Sequence, residues 1–193
     1  NAGNNRLDGL GGGDTMTGGL GDDTYVVDSI FDVVVETAGE GIDTVESSIS
    51  LALAGNVENL TLTGINAVQG TGNALDNTLV GSLGVDYVLE GGAGNDHLST
   101  DSGSDYLNGG TGADVMTGGA GDDFYDVDNV EDVVVEQEGG GADVGYSSIS
   151  YTLGTDVETL HLRGSATIDG TGNAGTNAIY GNGGNNRLDG KAG

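Results

Sequence analysis

A nine-residue period with glycine at fixed positions is the feature that most constrains how this chain can fold. It is clearest in GGAGNDHLS from Gly91, GGTGADVMT from Gly109 and GGAGDDFYD from Gly118. The same register recurs in GLGGGDTMT from Gly9 and GGLGDDTYV from Gly18. Each interior glycine costs a helix about 1 kcal/mol relative to alanine. The period therefore predicts a helix-free repeat architecture.

The nonapeptide has a simple local interpretation. Its first six residues form a turn in which glycine tolerates positive φ, and its last three form a short strand with the central apolar side chain inward. Nine residues then make half a coil, and residues 18 apart stack on one side. This spacing predicts an all-β parallel β-roll, a β-helix-like solenoid, in which Asp96 stacks with Asp114, Asp105 with Asp123, and Asp14 with Asp32.

A longer repeat of 100 residues divides the chain into two units, 1–90 and 91–193, which we expect to form one continuous solenoid. MTGGLGDDTYVVD from Met16 returns as MTGGAGDDFYDVD from Met116. Between the nonapeptide blocks, alternating segments such as VENLTLTG from Val57 predict longer strands with one buried face, in metal-free coils. GTGNALDN from Gly70 and GTGNAGTN from Gly170 carry Asn at the turns, which predicts metal-free turns joined by amide hydrogen bonds.

The charge of the chain limits its partners. Thirty-one Asp and Glu stand against four Lys and Arg, a formal net charge of −27. Like charges at this density oppose a compact state, so metal cations are the expected partners and nucleic acid is excluded. Absence of cysteine excludes disulfides and thiolate zinc sites. No apolar run approaches the roughly 20 residues of a membrane span.

The GGxGxDxUx pattern from Gly91 to Asp126 resembles the RTX (repeats-in-toxin, hemolysin-type) family of calcium-binding repeats. The resemblance implies a right-handed parallel β-roll that holds several Ca²⁺ ions. It also implies a chain that stays unfolded at low cytoplasmic calcium, folds after type I secretion, and acts outside the cell or at its surface. RTX repeats occur in toxins, proteases, epimerases, adhesins and surface-layer proteins.

The resemblance further implies which atoms would bind calcium: turn carbonyl oxygens together with the stacked carboxylates. In the first gap these are Gly92, Gly94 and Asp96 with Gly109, Thr111 and Asp114. In the second they are Asp101, Gly103 and Asp105 with Gly118, Ala120 and Asp123. Weaker candidates are Gly110, Gly112 and Asp114 with Asp132, Leu10, Gly12 and Asp14 with Asp32, and Gly18, Leu20 and Asp23 facing Asn5.

Other interpretations of these residues fit less well. A flexible linker would not keep an apolar residue at every ninth position. The GxGxxG match at Gly170–Gly175 is followed by no amphipathic helix, which argues against a dinucleotide site. Asp126 and Asp128 could begin an EF-hand loop, but Glu131 and Gln137 stand where it requires Gly and Glu. Periodic carboxylates without a pocket are not typical of a glycosidase.

Two classes of function remain. The first is a non-enzymatic, calcium-loaded structural or surface-assembly module of a secreted bacterial protein. The second is an adhesin-type module that binds polysaccharide or other copies of itself, or the C-terminal repeat region of a secreted protease, epimerase or toxin. Surface contacts would come from Tyr87, Tyr106, Tyr146 and Tyr151. Because the chain starts at Asn1 and stops within a motif, we expect it to be part of a longer protein.

Overall fold

The computed structural model of the protein describes residues 1–66, 68–81 and 84–193, and all regular structure in those ranges is β-strand. The strands are β1 Arg6–Asp8, β2 Thr15–Met16, β3 Thr24–Val27, β4 Val33–Val34, β5 Thr44–Ser47, β6 Leu51–Ala52, β7 Asn59–Leu62, β8 Gln69–Thr71, β9 Thr78–Gly81, β10 Val88–Ala93, β11 His97–Ser99, β12 Tyr106–Thr111, β13 Val115–Thr117, β14 Phe124–Val127, β15 Val133–Val135, β16 Val144–Ser147, β17 Tyr151–Thr152, β18 Thr159–Leu162, β19 Gly170–Thr171, β20 Ala178–Tyr180 and β21 Leu188–Asp189.

The strands form a parallel solenoid. Odd-numbered strands pair only with odd-numbered strands, and even-numbered only with even-numbered ones. One eight-stranded sheet runs through the odd strands from β1 to β15, and another runs through the even strands from β6 to β20. Strands β17, β19 and β21 form a third sheet, and β2 pairs with β4. The chain therefore changes sheet after each strand and builds about ten turns, which confirms the predicted β-roll.

The core is a narrow column filled by one or two inward side chains per strand. Leu60, Leu79 and Leu98 line it from the odd-numbered sheet, and Leu89 and Leu107 face them from the even-numbered sheet. All five are fully buried. Burying one such leucine contributes about 1.5–3 kcal/mol, but a column this thin holds few of them per coil. Hydrophobic burial alone is therefore a modest source of stability for each coil.

Coil length distinguishes the nonapeptide block from the segments around it. Asp96 and Asp114 occupy equivalent places 18 residues apart, whereas Asp23 and Asp43 are 20 apart and Asp43 and Glu58 are 15 apart. The intervening strands β5 and β7 have four residues each, and the longest strands, β10 and β12 with six, lie within the nonapeptide block. The strands between the blocks are therefore longer than the three-residue β11 and β13 of the nonapeptides but shorter than β10 and β12, which continue into the glycine turns.

The 100-residue repeat moves each strand to the opposite sheet. Thr24–Val27 forms β3 in the odd-numbered sheet, and its counterpart Phe124–Val127 forms β14 in the even-numbered sheet. The repeat contains an odd number of strands, so equivalent residues are half a coil out of phase. Strand β10 spans residues 88–93 and pairs with both β8 and β12, so strand pairing continues where one repeat meets the next.

We expect Gly112→Ala to destabilise the calcium-loaded fold by at least about 1–3 kcal/mol. Gly112 has φ +145°, and a Cβ there would stand 1.7 Å from the Gly94 carbonyl oxygen of the preceding coil. Gly55→Ala is the matched control, because a Cβ at Gly55 meets nothing within 4 Å. Urea unfolding followed by circular dichroism in saturating calcium measures both variants. Equal stability for the two would contradict the close stacking of the turns.

Candidate metal centre

Aspartates at the sixth position of the turns form continuous rows along the roll. The Asp96 N–H donates to Asp114 Oδ1 at 2.7 Å, and the Asp114 N–H donates to Asp132 Oδ1 at 3.1 Å. On the other edge, the Asp105 N–H donates to Asp123 Oδ1 at 2.8 Å. The structure therefore brings together the carboxylates that the 18-residue spacing predicted, with each one fastened to the backbone of the coil before it.

The second oxygen of most of these carboxylates is buried and unpaired. Within the described ranges, seven such oxygens accept no hydrogen bond, namely Oδ2 of Asp14, Asp23, Asp96, Asp105, Asp114, Asp123 and Asp143. Each one from Asp96 to Asp143 belongs to a residue no more than 2% exposed. A buried anionic oxygen without a partner is strongly destabilising. These positions therefore require a cation or a proton.

Carbonyl oxygens line the same gaps from the preceding turn. A Cβ on Gly110 would stand 2.1 Å from the Gly92 carbonyl oxygen, and one on Gly112 would stand 1.7 Å from that of Gly94. Both carbonyls therefore point into the space between the two turns. Glycine is required at 110 and 112 because any side chain would fill that space.

The following turn contributes carbonyls that point back. The Gly109 oxygen lies 2.5 Å from a Cβ built on Gly91, and the Thr111 oxygen accepts a hydrogen bond from the Gly94 N–H at 3.0 Å. Together with the Asp96 and Asp114 carboxylates, the gap contains only oxygen ligands. A flexible set of six to eight oxygens suits Ca²⁺, whereas Mg²⁺ demands a near-octahedral shell and keeps its water.

The second predicted gap has the same frame with one difference. Cβ atoms on Gly119 and Gly121 would stand 2.5 and 1.6 Å from the Asp101 and Gly103 carbonyl oxygens. The Gly103 N–H donates to Ala120 O at 2.9 Å. The Thr100 hydroxyl, however, donates to Gly118 O at 2.6 Å. A side-chain hydroxyl therefore already engages one of the carbonyls predicted to bind the ion.

Asp32 and Asp132 lie next to their predicted partners, but the second oxygen of each carboxylate already accepts hydrogen bonds. Asp32 Oδ1 accepts from the Asp14 N–H at 3.1 Å, while its Oδ2 accepts from the N–H groups of Asp28 and Ser29. Asp132 Oδ2 likewise accepts from Asp128 and Asn129, at 3.1 and 2.9 Å. Both carboxylates close a local turn, which weakens the case for a cation in the gaps that pair Gly12 and Asp14 with Asp32, and Gly110 and Gly112 with Asp132.

The gap between Asn5 and Asp23 contains only part of the predicted calcium ligands. Asp23 Oδ1 accepts from the Asn5 N–H at 2.7 Å, and Asp23 Oδ2 lies 2.0 Å from a Cβ built on Gly18. Leu20, whose carbonyl was predicted to join them, has an exposed side chain at the tip of that turn. With Asn5 opposite, this gap holds one carboxylate.

Sequence reasoning missed Asp43 and Asp143. The Asp23 N–H donates to Asp43 Oδ1 and the Asp123 N–H to Asp143 Oδ1, both at 2.8 Å. Both residues close a Gly-x-Gly-x-Asp turn, a signal that was present in the sequence. The 18-residue spacing did not predict them, because these coils contain 20 residues.

In the Asn-bearing turns, the side-chain amides form the predicted hydrogen bonds between coils. Asn77 stands in the row before Asp96, and its Nδ2 donates to the carbonyl oxygens of Val57 and Glu58, both at 3.2 Å. Asn73 Nδ2 donates to Ala54 and Val57 at 2.9 and 2.7 Å. The amide groups therefore bind the carbonyls that face the next coil, and they add no charge.

The family comparison identifies the repeat. The model for the RTX calcium-binding nonapeptide repeat matches residues 1–27, 71–107, 90–125, 99–134 and 170–193. These segments cover more than half of the chain, so the protein belongs to this family, whose repeats bind calcium. It is an RTX calcium-binding repeat module built as a β-roll.

One curated relative is similar to part of the chain. A 74-residue stretch, 38% of this chain, is 42% identical to the endo-1,3-1,4-beta-glycanase ExsH of Rhizobium meliloti (strain 1021). The match spans only 16% of that enzyme. No solved structure matches the chain. No helix in the described ranges is long and apolar enough to span a bilayer.

We expect the chain to gain β-structure in chelator when the pH falls from 7.5 to about 4.5. Burial raises the pKa of Asp96, Asp123 and Asp143 to about 6, above the value of about 3.9 in an unfolded chain. The folded state then binds more protons between these values, so its stability without calcium is greatest at low pH and is lost as pH rises through about 6.

Circular dichroism against pH, in chelator and in saturating calcium, measures this effect. Calcium should reverse the trend, because protons compete with the ion for the same oxygens. Asp96→Asn should reduce the pH dependence in chelator, whereas Asp28→Asn, at an exposed position, should not. A flat pH profile in chelator would show that the buried carboxylates do not limit folding.

Proposed function

We propose that this chain is a calcium-folded structural module of a secreted or cell-surface bacterial protein. The observation that carries the proposal is the set of buried carboxylate oxygens that face glycine turns without a hydrogen-bond donor. None of the three ion pairs in the described part of the chain involves the residues that carry these oxygens. Divalent cations are the compensating charges that the donor set fits best.

In the proposed ligand sets, the strongest gap is the one between the turns that end at Asp96 and Asp114. It combines two unpaired carboxylate oxygens with carbonyls of Gly92 and Gly94 on one side and Gly109 and Thr111 on the other. The gap between Asp105 and Asp123 follows, with Thr100 as a partial substitute for the ion. The gaps that end at Asp32 and Asp132 rank last.

An extracellular role follows from the calcium requirement. Extracellular calcium modules work at about 0.1–1 mM, far above cytosolic levels, so a chain that needs such concentrations folds only after export. The module itself would be non-catalytic, since its recurring carboxylates are committed to backbone hydrogen bonds and the proposed ions. Units 1–90 and 91–193 would act as one solenoid that extends or stabilises the protein to which they belong.

Calcium titration of the isolated chain tests this function. We expect little ordered structure in chelator and a β-rich spectrum in about 0.1–1 mM Ca²⁺. Magnesium at the same concentration should fail, because carbonyl-rich gaps do not provide its octahedral, hydrated shell. Folding to the same extent in magnesium would point to charge screening instead.

A matched pair of variants sharpens this test. Asp114→Asn keeps the Oδ1 acceptor for the Asp96 N–H but removes the charge that two gaps share, so its calcium midpoint should rise at least about five-fold. Asp28→Asn removes one charge at an exposed position and should leave the midpoint unchanged. Equal midpoints for the two would disprove the stacked-ligand assignment.

A second candidate function, polysaccharide binding, is favoured by an aromatic row on the even-numbered sheet. Tyr146 stacks near Phe124 and His161, with ring centroids 6.3 and 5.3 Å apart, and His161 stacks on Tyr180 at 4.4 Å. The Arg163 guanidinium lies 4.0 Å from the Tyr146 centroid. The first repeat carries Thr24, Glu46, Thr61 and Val80 at the equivalent positions. The row is therefore not required by the fold.

This row differs from the predicted tyrosine set. Tyr87 is buried in the core at 1% exposure, and Tyr151 packs against the core. Tyr106 does lie on the outer side, where its hydroxyl donates to Asp126, which also pairs with Arg163. Sugar rings place their C–H faces and hydroxyls against such mixed aromatic and charged surfaces. The glycanase relative makes a polysaccharide with β-1,3 and β-1,4 linkages the first to test, and a β-1,3-1,4-glucan provides both linkages.

If this face binds glucan, the double variant Tyr146→Ala and Tyr180→Ala should weaken binding by about 2- to 10-fold, the range expected for lost aromatic contacts. Thr61→Ala with Val80→Ala, at the first-repeat positions equivalent to His161 and Tyr180, is the control. Affinity electrophoresis in gels containing the glucan, run in calcium, gives the comparison. No retardation of the wild-type chain would rule out this second function for that polysaccharide.

A further inference from the structure

We infer that each repeat contains a second, three-carboxylate calcium site at the end of its nonapeptide block. The sites are formed by Asp23, Glu36 and Asp43 in the first repeat and by Asp123, Glu136 and Asp143 in the second. In each group, one carboxylate oxygen per residue lies within 4.8 Å of the others. The inference rests on the proposed calcium function and adds a ligand type, a glutamate side chain, that the nonapeptide turn does not contain.

Burial and missing partners argue that the second group is more than an acidic patch. Asp123 and Asp143 are 0% exposed. Their Oδ1 atoms accept from Asp105 and Asp123 N–H groups at 2.8 Å, but no donor in the described ranges reaches either Oδ2. Asp23 in the first repeat is 1% exposed, and its Oδ2 is likewise unpaired among the described residues.

The glutamate is held in place from the opposite sheet. Glu136 follows β15, in the odd-numbered sheet, whereas Asp123 and Asp143 precede β14 and β16 in the even-numbered one. The fully buried Tyr125 donates its hydroxyl to Glu136 Oε1, and the Gln137 N–H donates to Oε2 at 3.2 Å. These two donors fix a carboxylate next to two others that repel it. A cation bound among the three carboxylates would offset this repulsion.

The first repeat has the same construction. The Tyr25 hydroxyl donates to Glu36 Oε1, and the Thr37 N–H donates to Oε2 at 3.3 Å. The Gly18 N–H in turn donates to the tyrosine hydroxyl at 2.8 Å. The two groups are equivalent under the 100-residue repeat and lie in opposite sheets, so the repeated sequence builds the same arrangement on each side of the roll.

Carbonyl oxygens complete the ligand set. Cβ atoms on Gly140 and Gly141 would stand 2.7 and 1.9 Å from the carbonyl oxygens of Gly119 and Gly121, so those carbonyls point into the gap below Asp143. Three carboxylates with two carbonyls give a more negative site than a nonapeptide gap. Calcium affinity rises with ligand charge and rigidity. These two sites should therefore fill first and fix the ends of the nonapeptide blocks.

The test uses the whole chain and two readouts, calcium stoichiometry by calorimetry and terbium luminescence. The chain has no tryptophan, so tyrosine must sensitise bound Tb³⁺, and Tyr25 and Tyr125 contact the proposed ligands. Glu36→Gln with Glu136→Gln keeps the acceptor for the tyrosine hydroxyl. We expect it to bind two fewer calcium ions, to lose the first phase of the terbium titration, and to need at least about ten-fold more calcium for initial binding.

Glu90→Gln with Glu131→Gln is the control for lost charge and should bind like the wild type. Each single variant should lose one ion, and the intact repeat then provides an internal standard if the double variant folds poorly. Unchanged stoichiometry and an unchanged first phase in the double variant would overturn the inference while leaving the nonapeptide sites in place. If the wild-type chain binds no calcium, the proposed function fails as well.

Discussion

The structure depends on buried carboxylates that are only half satisfied. Along each row, one oxygen of an aspartate accepts the N–H of the coil before it, as Asp114 does from Asp96, and in seven aspartates of the described structure the other oxygen is buried and unpaired. The first interaction sets the register between coils. The unpaired second oxygen destabilises this register unless a cation or a proton binds to it. The reason is that burying an anion costs more free energy than burial of the thin apolar core contributes.

The rows of aspartates are interrupted where another residue stands at the aspartate position. Asn77 places an amide against the carbonyls of Val57 and Glu58, and Tyr87 stands 18 residues before Asp105, where it donates the same backbone N–H bond at 2.6 Å but adds no carboxylate. The stacked aspartates that begin at Asp96 and Asp105 are thus preceded by coils that carry no carboxylate at this position. Since coils in a solenoid contact only their neighbours, these preceding coils can limit how far calcium-dependent order spreads.

The nine-residue period was sufficient to predict the roll, the alternation between two sheets and the stacking of Asp96 on Asp114, because each of these follows from a strict repeat. It failed where coils change length. The 20-residue coils hid Asp43 and Asp143, and no periodic signal connects Glu136 to them, since it arrives from the other sheet. The period alone also could not predict that the second oxygen of Asp132 accepts hydrogen bonds from the N–H groups of Asp128 and Asn129, because these bonds depend on the local turn.

The odd number of strands in the 100-residue repeat determines where equivalent groups lie. Asp23 and Asp43 precede β3 and β5 at the edge where odd-numbered strands begin, whereas Asp123 and Asp143 precede β14 and β16 at the edge where even-numbered strands begin. A repeat with an even number of strands would have put both three-carboxylate groups in one row, where their charges would add along a single edge. Because of the half-coil offset, each edge instead has one such group. Calcium bound at the inferred sites would therefore stabilise both edges of the roll. The aromatic row of the second repeat has no counterpart in the first repeat, whose equivalent positions carry Thr24, Glu46, Thr61 and Val80 and lie in the opposite sheet.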